Sequence, residues 1–525
     1  MRVFLDSRFH GNDSANRVIP AKAGIQFFAI SQLESLKTLR TFLKLAEING
    51  EISMNTKTDK RPNLLVIMSD DQGPWAMGCA GNPEIRTPNL DKLASEGIRF
   101  DNFFCASPVC SPARASFLTG RIPSQHGVQD WLKSGNIEVA SDVTWSGADH
   151  PIEYLQGMTG WTDILSDNGY VCGLSGKWHV GHSAKPQKGH SYWFAHSLGG
   201  DSYVNYHVFE NTPELVNKKQ YVTDYFTDKA LNFLDQKDNP FCLSIHYTAP
   251  HSPWGRDNHP AEIFDSYNDC PFESIPIEPP HPWGGWNVNA KQRHDTLQGY
   301  FAAVTAMDNN IGRVLQKLQD LGIRENTIIV FLSDNGMNMG HHGICGKGNG
   351  TFPMNMYDTS VKVPFIISCP GSIPQGTVND GLYSQYDFMP TILDYLGFKN
   401  PESEKLPGRS FAKVLQGKED KGNENIIIFD EYGPVRMIRN HEWKYVHRYP
   451  YGPYELYSLD KDPDERDNLI ENAQYDQIIS EMRCQLDDWF CQYSVPELDG
   501  SRQAVTGKGQ IDMVGSKGKG RKAFV

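Results

Sequence analysis

The chain has 525 residues, 39% of them hydrophobic and 22% charged, enough apolar material for one large buried core and a smaller second one. A formal net charge of −13 gives no concentrated basic face of the kind that reads nucleic-acid phosphates. No apolar run is long enough to span a bilayer, so no membrane role is expected; runs such as 63–68 and 327–332 read as buried strands.

Residues 1–53 contain no apolar stretch followed by a small-residue cleavage site, so no secretory leader is expected and cytoplasmic residence is the default. The segments DSRFHGND and VIPAKAGIQ resemble translated repeat DNA. Residues 1–60 are therefore expected to be a non-native or disordered extension, with Met54 as the initiator; a different start would leave the periplasm open. The 10 cysteines lack the paired spacings of a zinc site, and most are expected to be buried thiols.

From Arg61 the chain gives an apolar strand, 63–68, followed at once by Ser69-Asp70-Asp71-Gln72. Thr87-Pro88-Asn89 opens a helix that should stop at Gly97, and a second strand is expected over 99–106. The layout then recurs. Strand 170–174 leads into Ser175-Gly176-Lys177-Trp178-His179, strand 241–247 into Pro250-His251, and strand 327–332 into Ser333-Asp334-Asn335-Gly336. A long helical stretch over 296–321 precedes the last of these, as a crossover between parallel strands would. The reading is α/β: a large, mostly parallel sheet flanked by helices on both faces. In such sheets ligands bind beyond the carboxyl ends of the strands, so the polar residues there should meet at one site.

After about Gly397 the pattern changes to short strands at 425–429, 435–439 and 443–447 and a terminal helix at 475–493. The expected organisation is a catalytic domain over 61–400, a smaller C-terminal antiparallel sheet plus helix over 401–495, and a flexible Gly-rich tail over 496–525. That tail carries the basic run Lys517–Lys522.

Cys110 lies in Ser107-Pro108-Val109-Cys110-Ser111-Pro112-Ala113-Arg114, just before a helix expected to end at Gly120, with Ser111 as its cap. A lone cysteine is usually a buried thiol, but a helix start presents free amide donors and a positive dipole end that suit an anion. Asp70, Asp71, Asp334 and Asn335 all offer oxygen ligands, which select calcium or magnesium over zinc. Singly, such residues are more often turns or caps; converging strand ends make them a metal-site candidate.

The run Cys110-Ser111-Pro112-Ala113-Arg114, continuing to Leu118-Thr119-Gly120-Arg121, resembles the signature of the type I, formylglycine-dependent sulfatases, which belong to the alkaline phosphatase-like superfamily. The likeness extends from about Arg61 to Leu469 and includes DFMPTILDYLG (387–397) and ELYSLDKDPDERDNL (455–469). It implies hydrolysis of a sulfate ester of a small molecule or saccharide. Cys110 would be oxidised to formylglycine by a formylglycine-generating enzyme, and its hydrate would attack sulfur. By the same resemblance, Asp70, Asp71, Cys110, Asp334 and Asn335 hold one Ca2+, with Mg2+ the alternative. Lys177, His251 and Lys347 contact the sulfate or leaving group, one of them as general acid. Arg114 and His179 hold and activate the hydrate, His179 taking the proton when the aldehyde re-forms. His182, His190, His196, His341 and His342 receive no role from the resemblance and read as structural or substrate-lining. The stretch 254–286, with His259, His281 and Trp283, is aromatic enough to stack on a sugar or aryl group, or simply to pack. The competing readings are a phosphodiesterase or phosphonate monoester hydrolase on the same architecture, against which Asn335 favours a one-metal sulfatase, and a silent calcium-binding protein.

Overall fold

The computed structural model describes residues 61–137, 151–236, 240–430 and 433–525. The expected extension and the initiator at Met54 lie outside the described residues. Residues 61–525 form one compact unit.

Strand Asn63–Ser69 is central because every residue in it is buried and apolar residues face both ways. Leu64, Val66 and Met68 join one core cluster, with Phe117, Trp161, Phe388 and Ile392; Leu65 and Ile67 join the other, with Phe226, Phe233, Met307 and Val314. Helices therefore cover both faces, the condition under which a parallel sheet is buried. The sheet has ten strands: Thr377–Asn379, Ile98–Phe100, Phe365–Ser368, Thr327–Ser333, Asn63–Ser69, Phe241–His246, Val171–Lys177, His190–His196, Tyr206–Glu210 and Leu215–Lys218, in spatial order. Its middle, from 327–333 to 190–196, is parallel; the 206–210, 215–218 and 365–368 strands run antiparallel to their neighbours. The long helix Ala290–Asp320 is the crossover into strand 327–333.

The small antiparallel sheet has four strands, Ile426–Asp430, Val435–Arg439, Trp443–Arg448 and Glu455–Ser458, one more than expected, with helix Asp476–Tyr493 packed on it. Ala106, Ile122 and Tyr386 share its core, and the Phe429 amide donates to the Ala106 carbonyl, so the two sheets belong to one body.

Segment 496–525 is packed rather than a free tail. Gln510, Asp512, Val514 and Phe524 are buried, and residues 509–510 exchange backbone hydrogen bonds with Trp131, Lys133 and Val525. Its glycines and lysines resemble the composition of a free tail, but a few anchors and a hydrogen-bonded backbone hold it. All ten cysteines are free; Cys105, Cys110, Cys172, Cys242 and Cys369 are buried, while Cys484 and Cys491 are exposed.

Candidate active site

Strand register brings the acids together. Asn63–Ser69 runs parallel and in register with Thr327–Ser333, so Ser69 lies beside Ser333 and the next residues, Asp70-Asp71 and Asp334-Asn335, leave the sheet side by side. The Asp334 amide donates to the Ser69 carbonyl (3.1 Å) and the Asp71 amide to Asp334 Oδ1 (3.2 Å). Two strands away, Val171–Lys177 ends on Lys177.

Helix Cys110–Thr119 begins on the cysteine itself, two residues earlier than a Ser111 cap implies. Ser111 is not its cap; the Ser111 Oγ instead accepts from the Leu132 amide (3.1 Å). Gly120 ends the helix at φ 65°, in the left-handed region where glycine carries no Cβ penalty. Cys110 thus sits where unpaired amides and the helix dipole are concentrated.

Around its sulfur the predicted residues converge. Cys110 Sγ donates to Asp70 Oδ1 at 3.3 Å and accepts from Lys347 Nζ at 2.8 Å. Lys347 Nζ also donates to Asp71 and reaches Asn335 Oδ1 at 3.3 Å, and Asn335 Nδ2 donates to Asp71 Oδ1 at 2.8 Å. Lys177 pairs with Asp70. Arg114, one turn along the helix from Cys110, places Nε and Nη2 each 3.0 Å from Asp334 Oδ2 and donates from Nη1 to the Lys177 carbonyl at 3.1 Å. His251 Nε2 approaches Asp71 Oδ2 to 3.7 Å, and its side chain, 27% exposed, marks the mouth of the pocket.

Ligand atoms of Asp70, Asp71, Cys110 and Asp334 all lie within 4.8 Å of one another, and all four residues are buried. Burial opposes ionising Asp70, but Lys177, His251, Arg114 and Lys347 outweigh it and hold its carboxyl well below the usual range. Asp71 is likewise lowered, against burial, mainly by Lys347 and His251. Burial and the charge of Asp70 push Asp334 up, the mark of like charges crowded together. Burial and Asp70 also push the Cys110 thiol up, so an unmodified residue 110 stays protonated. Three carboxylates and an amide oxygen are a hard donor set, and their crowding fits a divalent cation of the calcium or magnesium kind.

His179 follows Lys177 in left-handed backbone (φ 51°), as does Asp71 (φ 62°); both are conformations that non-glycine residues adopt at a cost. His179 Nε2 lies 3.3 Å from the Leu132 carbonyl. A carbonyl only accepts, so Nε2 carries the proton, and the buried Nδ1 is left without a hydrogen-bond partner. Burial, then Lys177 and Arg114, keep this imidazole well below its ordinary pKa and hence neutral.

Two features escaped the sequence reading. A Cβ on Gly199 would stand 2.2 Å from the His179 ring and one on Gly200 3.2 Å from the His251 ring, so this pair closes the gap between the two histidines. The paired glycine that follows strand His190–His196 after two intervening residues was the available signal. Leu132 was invisible because it acts through its backbone. The histidines without a role pack elsewhere: His190 Nδ1 meets the Gln187 carbonyl, His196 stacks on Tyr206, His342 stacks on Tyr357 at 3.7 Å, His341 lies against Trp75, and His182 approaches Glu153. His259 is buried against Tyr203, whereas Trp283 and His281 lie beside the loop that follows Lys347, the Trp283 carbonyl accepting from the Phe352 amide.

A buried cysteine at a helix start, facing clustered acids and cations at the carboxyl ends of a parallel sheet, suits the class of hydrolases that act on anionic esters. The sulfatase family matches residues 62–398, and the C-terminal family of N-sulphoglucosamine sulphohydrolase matches residues 350–492. The chain belongs to the sulfatase family and is a sulfuric ester hydrolase. It is 29% identical to the N-acetylglucosamine-6-O-sulfatase of Bacteroides thetaiotaomicron, covering 86% of this chain and 90% of that one. It is 27% identical to the arylsulfatase of Clostridium perfringens, covering 85% and 96%. A solved protein in complex with its substrate D-glucosamine-2-N,6-O-disulfate superposes with a TM-score of 0.70 at 25% identity, over 84% of this chain and all of that one. A phosphonate monoester hydrolase of Agrobacterium radiobacter shares the fold, with a TM-score of 0.60 at 19% identity over 82% of this chain and 96% of that one.

Proposed function

We propose that the protein hydrolyses a sulfate monoester of a carbohydrate, using a formylglycine made from Cys110 and one calcium ion held by Asp70, Asp71, Asp334, Asn335 and residue 110. The observation that carries this is the convergence of three buried carboxylates on the first residue of a buried helix. A bound cation would neutralise the acids and lower the pKa of an oxygen on residue 110. Installing the aldehyde requires a separate formylglycine-generating enzyme that acts on the Cys110–Arg114 motif.

Each side chain then has a task set by its surroundings. Lys177, pinned by Asp70, and Lys347, pinned by Asp71, present preorganised positive charge to the nonbridging sulfate oxygens, where it is worth most in a water-poor pocket. Arg114 orients Asp334 and, through the Lys177 carbonyl, the end of the neighbouring strand. His251 Nδ1 donates to the Ser252 carbonyl at 2.7 Å, which turns Nε2 toward Asp71 and the mouth; from there it protonates the leaving alcohol. His179 Nδ1, neutral and unpartnered, takes the proton that residue 110 gives up as sulfate departs.

A saccharide is favoured by the glucosamine sulfates named for two of the matching proteins and by the 77% exposed Phe352 beside the Lys347 loop, which offers a flat apolar face to a sugar ring. The test compares sulfate and phosphate monoesters of one leaving group, then screens sulfated mono- and oligosaccharides with enzyme matured in a host that makes formylglycine. Sulfate preference and turnover of a sulfated saccharide are expected. A clear phosphate preference would move the protein to the phosphonate hydrolase side of the fold.

A further inference from the structure

Residues 496–525 lie beyond both family matches and take no part in the chemistry above. They nevertheless meet the pocket through one intermediary. Gln510 is fully buried, and each of its polar atoms is engaged. Its amide donates to the Trp131 carbonyl (2.9 Å), and its carbonyl accepts from the Lys133 amide (3.0 Å). Oε1 accepts from the Gln129 amide (2.9 Å), and Nε2 donates to the Gly127 (2.9 Å) and Asp512 (3.0 Å) carbonyls. Phe524 pairs with Gln510 from the other side, Gly509 donates to Asp130 Oδ2 (3.1 Å), and Met513 packs on the cluster containing Leu132, Trp178 and Val180.

The clamped segment faces inward at Leu132. Its amide holds Ser111, the neighbour of Cys110, and its carbonyl receives His179 Nε2. Gln510 is thus paired with Leu132, which touches both the nucleophile helix and the imidazole and whose carbonyl also accepts from Asn136 Nδ2 at 2.8 Å. A segment needed only for stability would do as well with apolar anchors; a buried amide satisfied at every atom specifies one register and no other.

We propose that this C-terminal strap is a positioning element of the active site. Gln510 fixes residues 127–133 so that the Leu132 carbonyl keeps the proton on His179 Nε2 and leaves the Nδ1 lone pair free. The proposal rests on His179 acting as proton acceptor when sulfate is released, the second of two steps. Loosening the strap therefore slows that step and leaves the first, which governs kcat/KM, in place.

The experiment uses the full-length, matured enzyme and an aryl sulfate, with Gln510→Ala, Gln510→Glu and, as a surface control, Lys517→Ala. Gln510→Ala is expected to lower kcat about tenfold while kcat/KM stays within about twofold, with a burst of alcohol release in the first turnover. Gln510→Glu retains the acceptor for Gln129 but turns an acceptor toward the Gly127 and Asp512 carbonyls, so it should show the same pattern as Gln510→Ala; Lys517→Ala should match the wild type. Equal losses in kcat and kcat/KM, or no loss in either, would overturn the proposal. Should Gln510→Ala fail to fold, the same two patterns in Gln510→Glu decide. A wild-type enzyme inactive on every sulfate ester would instead defeat the reading of the reaction, a result distinct from these.

Discussion

Two of the buried ionic clusters among the described residues differ in what they are built for. Around Lys444, beneath the small sheet, Asp358 and Glu465 meet Lys444, Arg439 and Lys362. There the Asp358 amide donates to Glu465 Oε2 at 2.6 Å, and Lys444 Nζ also donates to the Met356 carbonyl at 3.0 Å. The Cys110 cluster has a similar charge inventory but a different arrangement. Acids from separate strand ends are pressed together around a thiol, and one ring nitrogen is left bare. Buried charge by itself therefore says little about function. Like charges forced to share one small space, with a thiol at a helix start between them, say a great deal.

The comparison predicts opposite responses to mutation. Cys110→Ala should lower kcat on the order of 10⁶-fold, the scale seen when a nucleophile is lost, with the melting midpoint moved by only a few degrees. Sulfate release and a thermal melt measure the two, and substantial residual turnover would erase the distinction between the clusters. Lys444→Met should do the reverse. Two acids lose a buried partner, costing about 3–5 kcal/mol in denaturant unfolding, while kcat of the folded fraction stays near wild type. A selective loss of kcat there would mean that the second cluster also serves the reaction.

Metal separates them further. Chelation should abolish activity, and restoring calcium to about a hundred times its dissociation constant should return about 2.7 kcal/mol of stability. Asp334→Asn should weaken that gain, whereas Lys444→Met should leave it intact, as calcium-dependent melting curves would reveal. The smallest effect concerns pH. Burial and the neighbouring Asp358, opposed by Lys444, raise Glu465 to about 7. An acid whose folded pKa is raised contributes nothing below the unfolded value near 4.5; as pH climbs from there to about 7 the unfolded chain ionises first, so stability falls. Asp130 and Asp387, also raised to about 7, act in the same direction, so Glu465→Gln should make this decline shallower without removing it.

Much of this was legible in the chain. Apolar runs ending in Asp70-Asp71, Lys177 and Asp334-Asn335 announced both the parallel sheet and its active rim, because burial on both faces demands continuous hydrophobic strands and the polar break marks where they surface. The Cys110 motif pointed to the residue on which the acids converge. What stayed hidden acts through the backbone or through shape. The Leu132 carbonyl carries no side-chain signature, and Gly199 matters only because His179 arrives from another loop. The strand Glu455–Ser458 is too short to show a period, and the packed strap has the composition of a free tail. Ser111 looked like a cap by type, yet Leu132, distant in sequence order from any helix signal, claims its hydroxyl.

The most direct test is the mass of the peptide carrying residue 110, taken from enzyme of known specific activity on a sulfate ester. The account predicts the aldehyde or its hydrate, with activity rising in proportion to the fraction converted. Full activity in protein whose residue 110 is entirely thiol would contradict it.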